Sequence, residues 1–210
     1  SRGLGDVYKR QLLRRYGPIP LIPDETISID ETYTGMSYPR ATYDEVVDYI
    51  DKEMTLAAKD LPDRRDRQNI ARATRGAALA VRAKALLYSA SPLNNPLPND
   101  PDKFTDFVDD QGRILMSQTY DESKWAKAAA AAKDVIDLGR YELHTADYQD
   151  KGDNTYPATV KPPYNAKYSN KNFPDGWANI DPFESYRSIF NGDLYANENE
   201  ELIFTRGNLS

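Results

Sequence analysis

The chain has 210 residues, of which 40% are apolar and 29% charged, with a formal net charge of −6 and a pI near 4.9. That length allows one large domain or two small ones around a real apolar core, and the acidic balance, without any basic stripe, argues against nucleic acid or anionic lipid as the main partner. The absence of cysteine excludes disulfides, thiolate metal sites and a cysteine nucleophile, and no apolar run approaches the roughly 20 residues of a membrane-crossing helix.

The first residues show neither a signal peptide nor a cap or periodic face. SRGLGDVYKRQ, residues 1–11, carries GDVYKRQ, which looks like the translation of a transposon-end adaptor used in sequencing libraries. The expectation is that 1–11 is foreign and that 12–210 is a piece of one domain cut at both ends. LLRRY alone falls short of the roughly 12 to 15 residues that an isolated helix needs. YGPIPLIPDE follows, with three prolines threaded by Ile19, Leu21 and Ile22. Proline fixes φ, lacks the donor that a helix uses and pushes its predecessor towards extended geometry, so this segment is expected to be a stiff extended strap, with Gly17 closing the helix before it.

Thr42 and Glu45 form a capping box, behind which Tyr43, Val46, Val47, Ile50, Met54, Ala57, Ala58 and Leu61 recur at helical spacing until Pro62. This predicts a helix over about 42–60. DRRDRQN reads as a polar loop, and Thr74 caps a second helix through about Ser89, stopped by Ser91-Pro92. Gly76, Ala77, Ala78, Ala80, Ala83 and Ala85 leave that helix little bulk, so a neighbour can approach closely, while Arg75, Arg82 and Ser89 fall seven apart as one polar stripe.

A third helix is expected from about Asp121 to Leu138, ended by Gly139, with Trp125, Ala128, Ala129, Ala132, Val135 and Ile136 as one buried face. Its opening repeats the spacing of Tyr43, Val46, Val47 and Ile50, and both match the start of a tetratricopeptide helix pair. The fold class expected is therefore mainly α, a tetratricopeptide-like helical scaffold over about 12–144, with a long irregular aromatic-rich part over about 145–200.

That second part holds Tyr148, Tyr156, Tyr164, Tyr168, Phe173, Trp177, Phe183, Tyr186, Phe190 and Tyr195 among many Asn, Asp, Gly and Pro residues, with neither helical nor alternating period. Long structured loops often carry function. An aromatic face stacks on the C–H face of a pyranose while amides and carboxylates bond its hydroxyls. Tyr164, Tyr168, Phe173 and Trp177 lie where helix packing has least claim on them, and Asn172, Asp175 and Asn179 are near enough in sequence to serve as hydroxyl partners. These seven residues are the expected ligand contacts, Trp177 first.

Catalytic patterns are scarce: there is no HExxH, GxSxG or phosphate-cradling glycine loop. Asp106, Asp109, Asp110 and Gly112 resemble a calcium loop but fail its 1-3-5 spacing, and His144, the single histidine, has no obvious second ligand. No cofactor or metal is expected. Carboxylate pairs for glycoside hydrolysis leave no mark in sequence spacing, since their separation is set by the fold.

RRYGPIPLIP, PRATYDEVVDYIDKEM with KDLPD, ARATRGAALAVRAKALLYSASPLNNP, KWAKAAAAAKDVIDLGRYEL and NENEELIF follow one another in an order that resembles the SusD/RagB family of Bacteroidota outer-membrane nutrient-binding lipoproteins. The likeness extends from Leu12 to Phe204 and is strongest from TRGAA to SPLNNP. It implies a tetratricopeptide-like scaffold crossed by the YG-x-P-L strap, a surface position held by a lipidated N-terminal cysteine, no enzymatic activity, and a partnership with a SusC-like TonB-dependent transporter that imports oligosaccharide or peptide. Two other classes stay open: a tetratricopeptide-like adaptor that binds peptide, which leaves the aromatic loop unexplained, and a glycan-degrading enzyme on a helical scaffold.

Overall fold

Where the sequence pairs Thr42 with Glu45, the structure, a computed structural model, starts a helix by both bonds of the box: Glu45 N–H donates to Thr42 Oγ1 (3.2 Å) and Thr42 N–H to Glu45 Oε2 (2.7 Å). Residues 2–22, 32, 37–69, 71–100, 103–152, 157–195 and 198–204 are described, with side chains from Val7 onwards in the first helix. Tyr156, the last three residues of the strap (23–25) and the terminal TRGNLS lie outside them. The chain divides into two units, Ser1–Leu138 and Gly139–Ser210. No helix among the described residues is long and apolar enough to cross a membrane.

The described residues of the first unit include four α-helices: α1 (Arg2–Tyr16), α2 (Tyr43–Asp60), α3 (Arg75–Ala90) and α4 (Ser123–Ile136). Helix α2 buries Tyr43, Val46, Val47, Ile50, Met54 and Ala58, the face that its periodicity predicts. Thr74 caps α3 by accepting from Ala77 N–H, and Ser91 closes it. The small residues of α3 let α2 and α4 pack on it from either side. Its polar stripe is put to use: Arg82 bonds Asp51 of α2 and Asp134 of α4, and Arg75 Nε donates to the Ala58 carbonyl (3.0 Å).

Two short segments lock this stack. Gly17, at φ +70, ends α1, its N–H donating to the Leu13 carbonyl. The chain then runs extended: Pro20 bridges to Arg40, Ala41 N–H donates to the Ile19 carbonyl (3.1 Å), and Ile19 and Leu21 pack on the core. In SPLNNP, Asn95 is fully buried and grips both backbone groups of Asp121, donating to its carbonyl (2.9 Å) and accepting from its N–H (2.8 Å). That ties the end of α3 to the approach to α4. Asp109, considered above for calcium, spends its carboxylate inside a hairpin, accepting from Gln111 N–H, Arg113 N–H and Arg113 Nε.

Helix α1 runs through residues 2–11, the stretch expected to be foreign, and Lys9 there donates to the Tyr49 hydroxyl (2.9 Å). Helicity says nothing of origin, because a helix once nucleated propagates residue by residue into neighbouring sequence. The buried face expected for α4 needs correction. Ala128 and Ala131 are buried, whereas Trp125 is 41% and Ile136 75% exposed, with Ala129 and Ala132 also at the surface. The reason lies in its neighbours: among the described helices α4 packs closely on α3, and Lys124 reaches across to α2 to bond Asp44 (2.7 Å). Ala128 and Ala131, with Lys124 and Asp134 bonding Asp44 and Arg82, therefore mark its inner face.

The second unit is built differently. Two-residue strands β1 (Ala146–Asp147) and β2 (Ile180–Asp181) pair antiparallel, Ala146 opposite Asp181. Asp181 then caps α5 (Pro182–Ser188), accepting from Glu184 N–H (2.9 Å). Helix α5 buries Glu184, Ser185 and Ser188 and exposes Phe183 and Tyr186, the reverse of ordinary amphipathicity. The two serine hydroxyls donate back to the Asp181 and Glu184 carbonyls, and Glu184 pairs with Arg187, so the buried polar groups are satisfied.

Candidate functional site

Residues 157–180 form turns held by their own side chains. Asn165 Oδ1 accepts from Lys167 N–H (2.9 Å) and its carbonyl from Tyr168 and Ser169 N–H, while Ser169 Oγ accepts from Asn165 N–H (2.8 Å). Further on, the Asn172 carbonyl accepts from Asp175 and Gly176 N–H. Gly176 passes so close to the preceding turn that a Cβ there would lie 2.0 Å from the Tyr168 carbonyl oxygen and 2.5 Å from that of Lys171, which only glycine avoids. Trp177 follows at once, its N–H donating to the Tyr168 carbonyl (3.3 Å). These contacts fix Trp177 in space, half-buried, with its ring 5.6 Å from that of Tyr168 and tilted by 33°.

A cleft of about 420 Å³ opens beside it. Trp177 and Tyr164 supply aromatic surface, Tyr164 being 72% exposed. Thr159, Lys161, Ser169 and Asn170 supply polar groups, and Tyr148 and Asp150 also line it. Tyr148 is positioned by its N–H bond to the Asn179 carbonyl (3.2 Å), and the adjacent Gln149 exchanges bonds with Thr159. Lys161 sits over the Tyr148 ring, its Nζ 5.2 Å from the centroid. The Tyr148 side chain, and less strongly Asp150, hold the Lys161 ammonium above the ordinary lysine range.

Of the seven expected contacts, the structure brings Trp177 and Tyr164 onto one cleft. Tyr168 stands behind, engaged by Trp177 and by the Lys167 ammonium, 4.9 Å from its ring centroid. Phe173, Asn172, Asp175 and Asn179 are not on the cleft lining. Asn179 spends its side-chain oxygen on Phe173 N–H (2.8 Å), closing the turn that presents Trp177. The sequence reading passed over Thr159, Lys161, Ser169 and Asn170. The hydroxyls and the lone lysine carry no periodic signal, and only the pairing of 148–149 with 159 and 179 brings them together. The site offers stacking surface, hydroxyl and amide groups and one cation.

Residues 7–87 match the model of a SusD-like family described as starch-binding and associating with the outer membrane. A solved protein named BT4246 is 40% identical, with a TM-score of 0.56 over 70% of this chain and 25% of that one. The chain belongs to the SusD-like family. A SusD-like protein (BF3747) from Bacteroides fragilis NCTC 9343, 18% identical, aligns over the whole of this chain and 26% of its own length with a TM-score of 0.56, which shows the shared helical fold. No curated protein matches the sequence. The SusD-like chain spans about a quarter of the length of these solved relatives. The matched segment 7–87 covers the strap, α2 and most of α3, so it accounts for the scaffold, while the cleft lies outside it.

Proposed function

We propose that this SusD-like chain is part of a non-enzymatic surface glycan-binding protein, lipid-anchored at the outer membrane, that hands oligosaccharide to a SusC-like TonB-dependent transporter. The observation that carries the glycan reading is the cleft of Trp177 and Tyr164, in which a ring held by Gly176 and Tyr168 faces hydroxyl and amide groups. Such a surface suits a pyranose, whose C–H face covers an aromatic ring while its hydroxyls bond the polar rim. The family description, with its starch binding and outer-membrane association, supports the ligand class and the location. In this reading Trp177 and Tyr164 touch the sugar, Tyr168 backs Trp177, and Asn172, Phe173, Asp175 and Asn179 shape and flank the turn.

Incubation of the protein with a panel of plant, host and storage glycans tests the reading. The expected result is retention on affinity electrophoresis without new reducing ends. New reducing ends would make it an enzyme, and an absence of retention across the panel would remove the glycan reading. Transporter delivery is tested separately, by copurification of the native protein from outer membranes with a TonB-dependent partner.

A further inference from the structure

Four residues on the cleft carry hydroxyls, Tyr148, Thr159, Tyr164 and Ser169, and the last three of these hydroxyls each accept a hydrogen bond from a protein N–H. Thr159 Oγ1 accepts from Gln149 N–H (3.0 Å), the Tyr164 hydroxyl from Asn170 Nδ2 (3.1 Å), and Ser169 Oγ from Asn165 N–H (2.8 Å). A hydroxyl has one proton and two lone pairs. With one lone pair engaged, and with no donation to a protein acceptor among the described residues, each of the three keeps its proton for a ligand, and accepting a bond strengthens its own donation. Lys161 adds an ammonium, a pure donor. Among the described residues it makes no direct ion pair and rests on the face of Tyr148 instead.

The cleft is thus polarised towards donation. Its surroundings agree: residues 157–180 contain three lysines (161, 167 and 171) against one aspartate (175), in a chain whose net charge is −6. A neutral sugar hydroxyl both donates and accepts, and gains little from such a bias. A carboxylate or sulfate only accepts, and charge-assisted bonds to it are the stronger ones. Asp150 is the opposing group, an acceptor at the edge of the same cleft.

We propose that the cleft selects glycans carrying an anionic substituent, a uronate carboxylate or a sulfate ester, seated on Lys161 within reach of the Thr159, Tyr164 and Ser169 hydroxyls while the sugar ring lies on Trp177. This rests on the glycan reading above and narrows its ligand class.

The test is an array of oligosaccharides in matched neutral, uronate and sulfated forms, including galactan, galacturonan and sulfated galactan of equal length, probed with the whole protein at low and high salt. Uronate or sulfated members are expected to bind about tenfold tighter than their neutral partners, with the advantage shrinking as salt screens the charge. Lys161→Gln should abolish the advantage of the anionic members over their neutral partners, whereas Asp150→Asn should enlarge it a few-fold. The uronate and sulfate arms separate the two sources of charge. Equal retention of neutral and anionic partners overturns the inference and leaves the glycan reading standing. Anionic binding that Lys161→Gln does not weaken also overturns it, because the seat is then elsewhere. Retention of no member at all overturns both. Circular dichroism of each variant separates loss of binding from loss of fold.

Discussion

The two units of the chain are stabilised by different physics. In Ser1–Leu138, Val46, Ile50, Leu115 and Ala131 are fully buried, and the core gathers apolar side chains from all four helices. In Gly139–Ser210, Ile180 is the one apolar side chain buried among the described residues, accompanied by Asp181, Glu184, Ser185 and Ser188. Burial of apolar area stabilises the first unit, and local side-chain-to-backbone bonds hold the second. A surface that must offer rings and hydroxyls to a ligand cannot also spend them on a core. The difference teaches that the scaffold and the recognition surface obey separate rules within one short chain.

Substitutions can break that contrast. Ile50→Ala removes a fully buried side chain at the centre of the first core and should cost about 2 to 5 kcal/mol, read as a large drop in the melting temperature followed by helical circular dichroism. Gly176→Ala should cost roughly 3 kcal/mol locally, because the new Cβ collides with two backbone carbonyls that cannot swing aside. Hydrogen exchange should show the damage confined to the loop around Trp177, with the helices of the first unit protected as before. Equal loosening of both units would contradict their separate stabilisation.

Alkaline pH sharpens the comparison from the other side. Burial pushes Tyr43 up to about 12, above an ordinary value near 10, so the folded state favours its neutral form. This stability is fully present below about pH 10 and is lost as pH rises towards 12, amounting to about 2 to 3 kcal/mol. An alkaline denaturation curve should be shallower over that window in Tyr43→Phe, even though the variant loses the bond that Asn94 Nδ2 donates to the Tyr43 hydroxyl. Thr42→Ala, which removes half of the capping box of α2, should cost about 1 kcal/mol in the same melting experiment.

The legibility of the sequence follows the same division. The bounds of α2 and α3, their caps and the extended strap could be read in advance because helical period, capping chemistry and proline geometry are local rules. The inner face of α4 could not: Trp125 and Ile136 have the right spacing for a core, but burial depends on which neighbours arrive, and among the described helices only α3 packs closely on it. In SPLNNP the motif was visible while the grip of Asn95 on Asp121, 26 residues away, was not. In the second unit, the turn residues announced an irregular segment and Trp177 stood out by its size. The gathering of Thr159, Lys161 and Ser169 depends on the turns around Asn165 and on contacts from Tyr148 and Gln149, which no periodicity records.

The central claim is that the Trp177 ring is the sugar platform and that exposed aromatic rings off the cleft are not. Calorimetric titration of Trp177→Ala and of Tyr186→Ala, the latter at a 68% exposed ring on α5 away from the cleft lining, against an oligosaccharide retained by the unaltered protein tests it most directly. The account predicts about a tenfold loss of affinity for Trp177→Ala, equivalent to about 1.4 kcal/mol, with the fold intact by circular dichroism, and no change for Tyr186→Ala. Unchanged affinity in a folded Trp177→Ala, or an equal loss in Tyr186→Ala, would contradict it.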